Sequence, residues 1–350
     1  MNEGMRAMLL DGSMTLAPDS QPLRLANIPR PAPSAHEILI RVAACGVCHT
    51  ELDEIEGRTP PLTFPVVPGH EVVGYVDETG SGVTRHRPGA RVGVGWIHRS
   101  SGEVDENLSP AFRATGRDAP GGYAEFMTVH EDYAYPVPEV FGDAEAAPLL
   151  CAGAVGYRAL KLSGLRDGQS LGLTGFGGSA HLVLQLVRHV FPRARIFVFA
   201  RSQSQRQFAR DLGGDWAGET AELAPQPLDA IIDTTPAWTP VLHALKNLKP
   251  GGRLVINAIR KEDGDKDIMS RIRYRDHLWM EKEIKTVANV TRHDLSEFLP
   301  LAAQVPLKPE IEMYELEDAN RALVDLKYGA VRGAKVLRVG RELAAVPVMP

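Results

Sequence analysis

The chain has 350 residues, 44% of them hydrophobic and 24% charged, with a formal net charge of −5, the balance of a globular chain long enough for two domains. That acidic balance gives no electrostatic reason to expect nucleic acid or an anionic membrane as a partner, and no apolar run is long enough to span a bilayer. The opening MNEGMRAMLLDGS has no basic region followed by an apolar stretch, which argues against a secretory signal; three cysteines imply no disulfide framework, so reduced thiols in the cytoplasm are expected.

In chain order, residues 6–11 (RAMLLD) read as a first strand, followed by a proline-rich loop through Pro18, Pro22, Pro29, Pro31 and Pro33. Residues 38–46 (ILIRVAACG) are rich in β-branched side chains and read as a strand, as do 70–80, 90–96 and 122–129 between Gly and Pro turns. The pattern then changes. Residues 171–176 (LGLTGF) form an apolar strand, and 178–190 place Leu182, Leu186, Val187 and Val190 at helical spacing. A strand at 196–200, a helix at 205–213 closed by Gly213, and segments at 228–235, 241–248, 252–258 and 284–290 continue the alternation. Strands alternating with helices imply a parallel sheet covered on both faces, an α/β fold following a β-rich first part. Residues 318–329 read as a helix and 334–339 as a strand, while EDGDKD at 262–267 reads as a solvated charged loop.

Four residues are candidate metal ligands: Cys48 in GVCHT, His70 and Glu71 in PGHE, and Cys151 in LLCAG. Two thiolates and an imidazole leave one position of a tetrahedral zinc open, which is the arrangement of catalytic rather than structural sites. Cys45 and Cys48 form a CxxC, but the chain has no second CxxC, so a closed four-cysteine site is excluded and Cys45 reads as a buried strand residue. Thr50 offers a hydroxyl to carry a proton away from the metal, or it caps the helix that follows.

These motifs, with PGHEVVGYVDETGSGV, GGYAEFMTV and LKPGGRLV, resemble the zinc-dependent alcohol dehydrogenases of the medium-chain dehydrogenase/reductase family over nearly the whole chain. The resemblance implies a GroES-like catalytic domain at 1–154 and 295–350, and a Rossmann doubly wound domain at 155–294. It implies zinc on Cys48, His70 and Cys151, with Glu71 as alternate ligand. It also makes Thr50 the first hydroxyl of a proton relay and places His49 near the cofactor pyrophosphate.

The chain departs from that family in places. The lobe that usually holds a structural zinc on four cysteines corresponds to residues 98–116, which contain no cysteine and have Ser101 and Ser109 in their stead. One zinc per subunit is therefore expected. The acid after the relay threonine is Glu51 rather than aspartate; it either orients the histidine ligand or faces solvent. Asp53 stands where the relay often ends in histidine, so the relay either ends on that carboxylate or reaches water directly from Thr50 and the cofactor ribose. Val155 replaces a threonine expected four residues after the last cysteine ligand.

GFGGSA at 175–180 lies between a strand and a helix, the setting of a dinucleotide turn. Gly175, Gly177 and Gly178 would permit a tight turn and a close approach of pyrophosphate to the helix N-terminus. The second strand ends in Ala200, Arg201 and Ser202 with no acid for a ribose 2′-hydroxyl, and Arg206 follows; an arginine here suits a 2′-phosphate, so NADP is favoured over NAD. The resulting expectation is reversible hydride transfer between a small alcohol and its aldehyde or ketone, in a homo-oligomer of two or four subunits by resemblance. The rivals are a zinc-free quinone or enoyl reductase and a non-catalytic nucleotide-binding protein on the same scaffold. Trp96 and Trp279 are candidates for the substrate pocket.

Overall fold

A computed structural model describes residues 4–305, 307–329 and 333–340. The ends of the expected catalytic domain, 1–3 and 341–350, and residues 306 and 330–332 within it lie outside the described residues. The chain divides into two compact units, 1–151 with 309–350, and 152–308.

The first unit is built on a largely antiparallel sheet. Among the described residues its order is Ile311–Glu315, Ala334–Arg338, Glu37–Val47, Val72–Thr79, Arg91–Val94 and Ala134–Pro136, with Phe126–His130 also pairing the long central strand. Ile38, Leu39, Ile40 and Val42 are buried on both sides of that strand, which explains an apolar run interrupted only by the half-buried Arg41. Cys45 is wholly buried in it, as expected. Leu23–Pro29 is a strand, not the expected loop, pairing antiparallel with Gly4–Leu10 in register from Leu10↔Leu23 to Gly4↔Pro29. Pro22 and Pro29 lie just before and at the end of that strand, where proline is compatible with pairing.

The second unit carries a six-stranded sheet in which every described pairing is parallel. Its order is Trp216–Gly218, Arg195–Phe199, Ser170–Thr174, Leu228–Asp233, Leu248–Ile256 and Glu283–Thr286. Numbered along the chain this is 3-2-1-4-5-6, the doubly wound order whose direction reverses between the first and fourth strands. Helix Gly178–Val190 follows the first strand and buries Leu182, Leu186 and Val187 as the spacing predicts, while Val190, at the helix's last position, is exposed and Val183 is buried in addition.

The helix Arg292–Gln304 belongs to this second unit, so the later boundary falls at 308/309 rather than at 294/295. It packs on helix Ala152–Ser163: the Tyr157 and Phe298 rings stack with centroids 5.6 Å apart, and Arg158 and Lys161 pair with Asp294.

Candidate metal centre

Three separate segments of the first unit deliver the four candidate donors. Cys48 follows the central strand and precedes helix His49–Ile55; His70 and Glu71 lead into strand Val72–Thr79; Cys151 follows the short 3-10 turn Ala147–Leu150. One ligand atom from each, namely two sulfurs, an imidazole nitrogen and a carboxylate oxygen, lies within 4.8 Å of all the others. His70 and Glu71 are buried and the two cysteines half-buried. The three segments are far apart in sequence, and the fold brings them together.

Glycines make the room. Gly69 has φ +98°, a conformation a side chain rarely adopts, and a Cβ there would come within 2.4 Å of the Tyr123 ring. A Cβ at Gly46 would come within 1.8 Å of Glu71 Oε2, so the Glu71 carboxylate occupies space that only glycine leaves free. The Gly46 N–H donates to the Glu71 carbonyl at 2.9 Å and fixes the two segments together.

Glu51 faces the metal ligands, not solvent. It is wholly buried, with Oε1 2.5 Å from His70 Nδ1, while Oε2 accepts the Cys48 backbone N–H at 2.8 Å. One carboxylate therefore holds the imidazole by its Nδ1 side and the backbone of the first cysteine. Both ring nitrogens of His70 are buried without a well-formed hydrogen bond; Nδ1 lies against the Glu51 carboxylate, and Nε2 is the nitrogen left for another partner. An orphaned buried nitrogen is costly unless something binds it, and an imidazole nitrogen beside two sulfurs fits a zinc ion.

The four donors perturb one another strongly. Hydrogen bonding from Cys151, with His70 adding to it, holds the Cys48 thiol well below its ordinary range, while Cys151 is pushed up as the donor and by burial. Burial pushes Glu71 up. Burial opposes charge on His70, but Glu51 and Cys48 keep the imidazole above its usual value.

The helix begins at His49 with Cys48 as its cap, so Thr50 lies inside its first turn and is not the cap residue. Its Oγ1 is 3.6 Å from Cys48 Sγ. His49 is exposed. Asp53 is engaged elsewhere: its carboxylate pairs with Arg58 at 2.6 Å. Trp96 lies beside the site, its ring 6.2 Å from that of His70, whereas Trp279 is half exposed in the other unit. Glu54 was not anticipated. It lies one turn on from Glu51, is 1% exposed, and its Oε1 has no partner. An i, i+3 acid was the available signal, but that spacing is equally common on solvated helices.

The cysteine-free lobe is held by packing. Glu106 is buried, accepts the Tyr133 hydroxyl at 3.1 Å, and its carbonyl accepts Ser100 Oγ at 2.6 Å. Ser101 and Ser109 accept backbone N–H groups two residues ahead, from Glu103 at 3.4 Å and Ala111 at 3.2 Å.

In the second unit Gly175 has φ +79° at the tight turn, Gly177 caps helix Gly178–Val190, and nothing lies within 4 Å of where a Gly177 Cβ would be. Ala200 is buried, Arg201 and Ser202 are exposed, and Ser202 Oγ caps helix Gln203–Asp211 by accepting Gln205 N–H at 3.2 Å. Arg206 is turned back onto the Ala200 and Arg201 carbonyls, both at 2.9 Å.

Residues 34–139 match the alcohol dehydrogenase GroES-like domain family. Over 334 residues, 92% of this chain and 94% of the relative, the sequence is 42% identical to a Mycobacterium tuberculosis (strain CDC 1551 / Oshkosh) protein named Probable alcohol dehydrogenase AdhA. Among solved structures, a cinnamyl alcohol dehydrogenase of Sorghum bicolor matches with a TM-score of 0.78 at 26% identity, over 96% of this chain and 98% of that one. The Helicobacter pylori protein CAD, solved in complex with NADP(H), matches with a TM-score of 0.81 at 22% identity, over 97% and 99%.

Proposed function

The chain belongs to the alcohol dehydrogenases of the medium-chain dehydrogenase/reductase family, and on that premise we propose that Cys48, His70 and Cys151 hold one catalytic zinc per subunit, with Glu71 as alternate ligand. It is an NAD(P)-dependent enzyme that interconverts an alcohol and its carbonyl compound. The observation that carries the zinc reading is the meeting of four donors from three distant segments around a buried, unpartnered His70 Nε2.

Zinc held there would supply a Lewis acid that lowers the pKa of an alcohol oxygen or polarises a carbonyl, and a nicotinamide would accept or give the hydride. The chain's own residues do the rest. Glu51 fixes the imidazole through Nδ1 and the Cys48 backbone through its N–H. Thr50, beside Cys48 Sγ, takes the alcohol proton on its hydroxyl and passes it outward. Because Asp53 is committed to Arg58, the proton leaves to water or the cofactor ribose rather than to that carboxylate. In the other unit Gly175, Gly177 and Gly178 present the start of a helix to the pyrophosphate.

NADP is the preferred cofactor, supported by the exposed Arg201 after a strand that ends without an acid. Strand Glu283–Thr286 is exposed along its length at the sheet edge, and Trp279, Met280 and Ile284 are exposed around it, which supports pairing with a second copy. Among the described residues no helix is long and apolar enough to cross a membrane. The three cysteines are free, which supports a reducing, cytoplasmic setting.

The test is zinc content with turnover. Protein purified without added metal should hold about one zinc per chain, and Cys48→Ser should abolish turnover while leaving dinucleotide binding in place. Turnover that survives Cys48→Ser would end the zinc mechanism, and a zinc content near two would mean that the lobe holds a second site.

A further inference from the structure

One buried charge pair takes no part in the chemistry above. Asp233 ends strand Leu228–Asp233 with its side chain 0% exposed, and Lys261 opposes it at 7%. Lys261 Nζ donates to Asp233 Oδ2, to the Thr235 carbonyl at 2.6 Å and to the Ala237 carbonyl at 3.1 Å. The other Asp233 oxygen accepts the Thr235 hydroxyl at 2.8 Å.

Two further ties run alongside. The Glu262 N–H donates to the Pro236 carbonyl at 2.7 Å. The Asp265 carboxylate accepts the N–H groups of Trp238 and Thr239 at 3.0 and 2.7 Å, where helix Thr239–Asn247 begins. Glu262, Asp263 and Gly264 are exposed, as expected of a solvated loop, but Lys261 and Asp265 clamp this stretch along residues 233–239.

A buried ion pair is a weak source of stability, because removing two charges from water offsets their attraction. What this pair fixes is position. Thr234 donates to the Thr174 carbonyl through its N–H at 2.9 Å and its hydroxyl at 3.1 Å. A Cβ on Gly175 would come within 2.9 Å of both Thr234 Oγ1 and Thr235 Cγ2, so these threonines form the wall against which the glycine turn is folded. The wall stands at the carboxyl ends of adjacent strands whose order reverses, where doubly wound sheets bind their ligand.

We propose that the Lys261–Asp233 pair is a positioning device for the dinucleotide: it holds Thr234 and Thr235 against Gly175, so that the turn keeps the shape that admits a pyrophosphate. This rests on reading 175–180 as the dinucleotide turn. Without the ammonium, the Thr235 and Ala237 carbonyls lose their donor, Asp233 loses its counter-charge, and the wall is free to relax away from Gly175.

The test uses the full-length zinc-loaded enzyme, titrated calorimetrically with NADP and with NAD. Lys261→Met alone strands a buried carboxylate and threatens folding, so the decisive variant is the double change Asp233→Val with Lys261→Met, which removes both charges. The expected result is a loss of affinity of about tenfold for NADP and NAD alike, since the pyrophosphate is common to both, with zinc content unchanged. Affinities within about twofold of wild type in a folded double variant overturn the proposal. Hydrogen exchange of the wild type covers the case in which the double variant fails to fold: NADP should protect residues 233–239 and 257–266 together, and unchanged protection in both segments overturns the proposal equally. A wild type that binds neither dinucleotide refutes the reading of the turn, a failure distinct from that of the pair.

Discussion

Glu51→Gln tests the metal centre where the structure is most specific. The carboxylate serves two donors, His70 Nδ1 at 2.5 Å and the Cys48 N–H at 2.8 Å. Glutamine keeps the shape but has one acceptor oxygen, so in either orientation its amide NH2 faces a donor. Loss of such a partner behind a ligating histidine lowers metal affinity about 10- to 100-fold, or about 1.4–2.7 kcal/mol. Removing a negative charge from the first turn of helix His49–Ile55 adds about 0.3–1 kcal/mol of helix destabilisation. The assay is competition for zinc against a chromogenic chelator, with dinucleotide affinity as the internal control. The expected result is a zinc dissociation constant raised at least about tenfold, unchanged dinucleotide affinity, and partial recovery in Glu51→Asp, which keeps the charge. Zinc affinity within about threefold of wild type would mean that His70 is not held through Glu51, or is not a ligand.

Arg201→Ala should weaken NADP binding by about tenfold or more and leave NAD within about twofold; equal losses for both would remove the arginine from cofactor choice. Burial, reinforced by the charge of Glu51, pushes the Glu54 carboxyl well above its ordinary 4.5, so the folded state holds that proton more tightly than the unfolded chain. Its contribution is therefore full below pH 4.5 and is lost as pH rises from there toward the raised folded value. Melting curves from acid to neutral pH should decline less steeply for Glu54→Gln than for wild type, and parallel curves would contradict the assignment. Sedimentation should find an oligomer that Ile284→Pro disrupts by spoiling the edge strand; a wild type that sediments as a monomer would dispose of edge pairing.

The fold was most legible where local and global signals agree. Helix Gly178–Val190 begins just after the glycine that caps it and buries Leu182, Leu186 and Val187, three of the four residues its period selects. Helix Ala152–Ser163 escaped because AGAVGYRALKLS contains Gly153 and Gly156, and Arg292–Gln304 because Pro300 lies inside it; packing of one on the other overrides those propensities. The candidate ligands were legible because each lies in a motif of its own. The burial of Glu51 and Glu54 was not, since ELDE reads the same on a solvated helix as on one packed against a metal centre. The Lys261 clamp was hidden for the same reason: a charge run carries no mark of which member turns inward.

The lobe at 98–116, which contains no cysteine, is tied down by side-chain contacts. Glu106 anchors the middle of the lobe to Tyr133, whose hydroxyl also accepts the Ser100 N–H at 3.0 Å. Phe112 meets Trp96 edge-on at 5.4 Å, and the Arg117 guanidinium lies 5.5 Å from the Trp96 ring. The serines at 101 and 109 retain only the local task of closing turns. Trp96 is also the residue beside His70. The lobe is thus fastened through Phe112 and Arg117 to Trp96, the ring that lies beside His70.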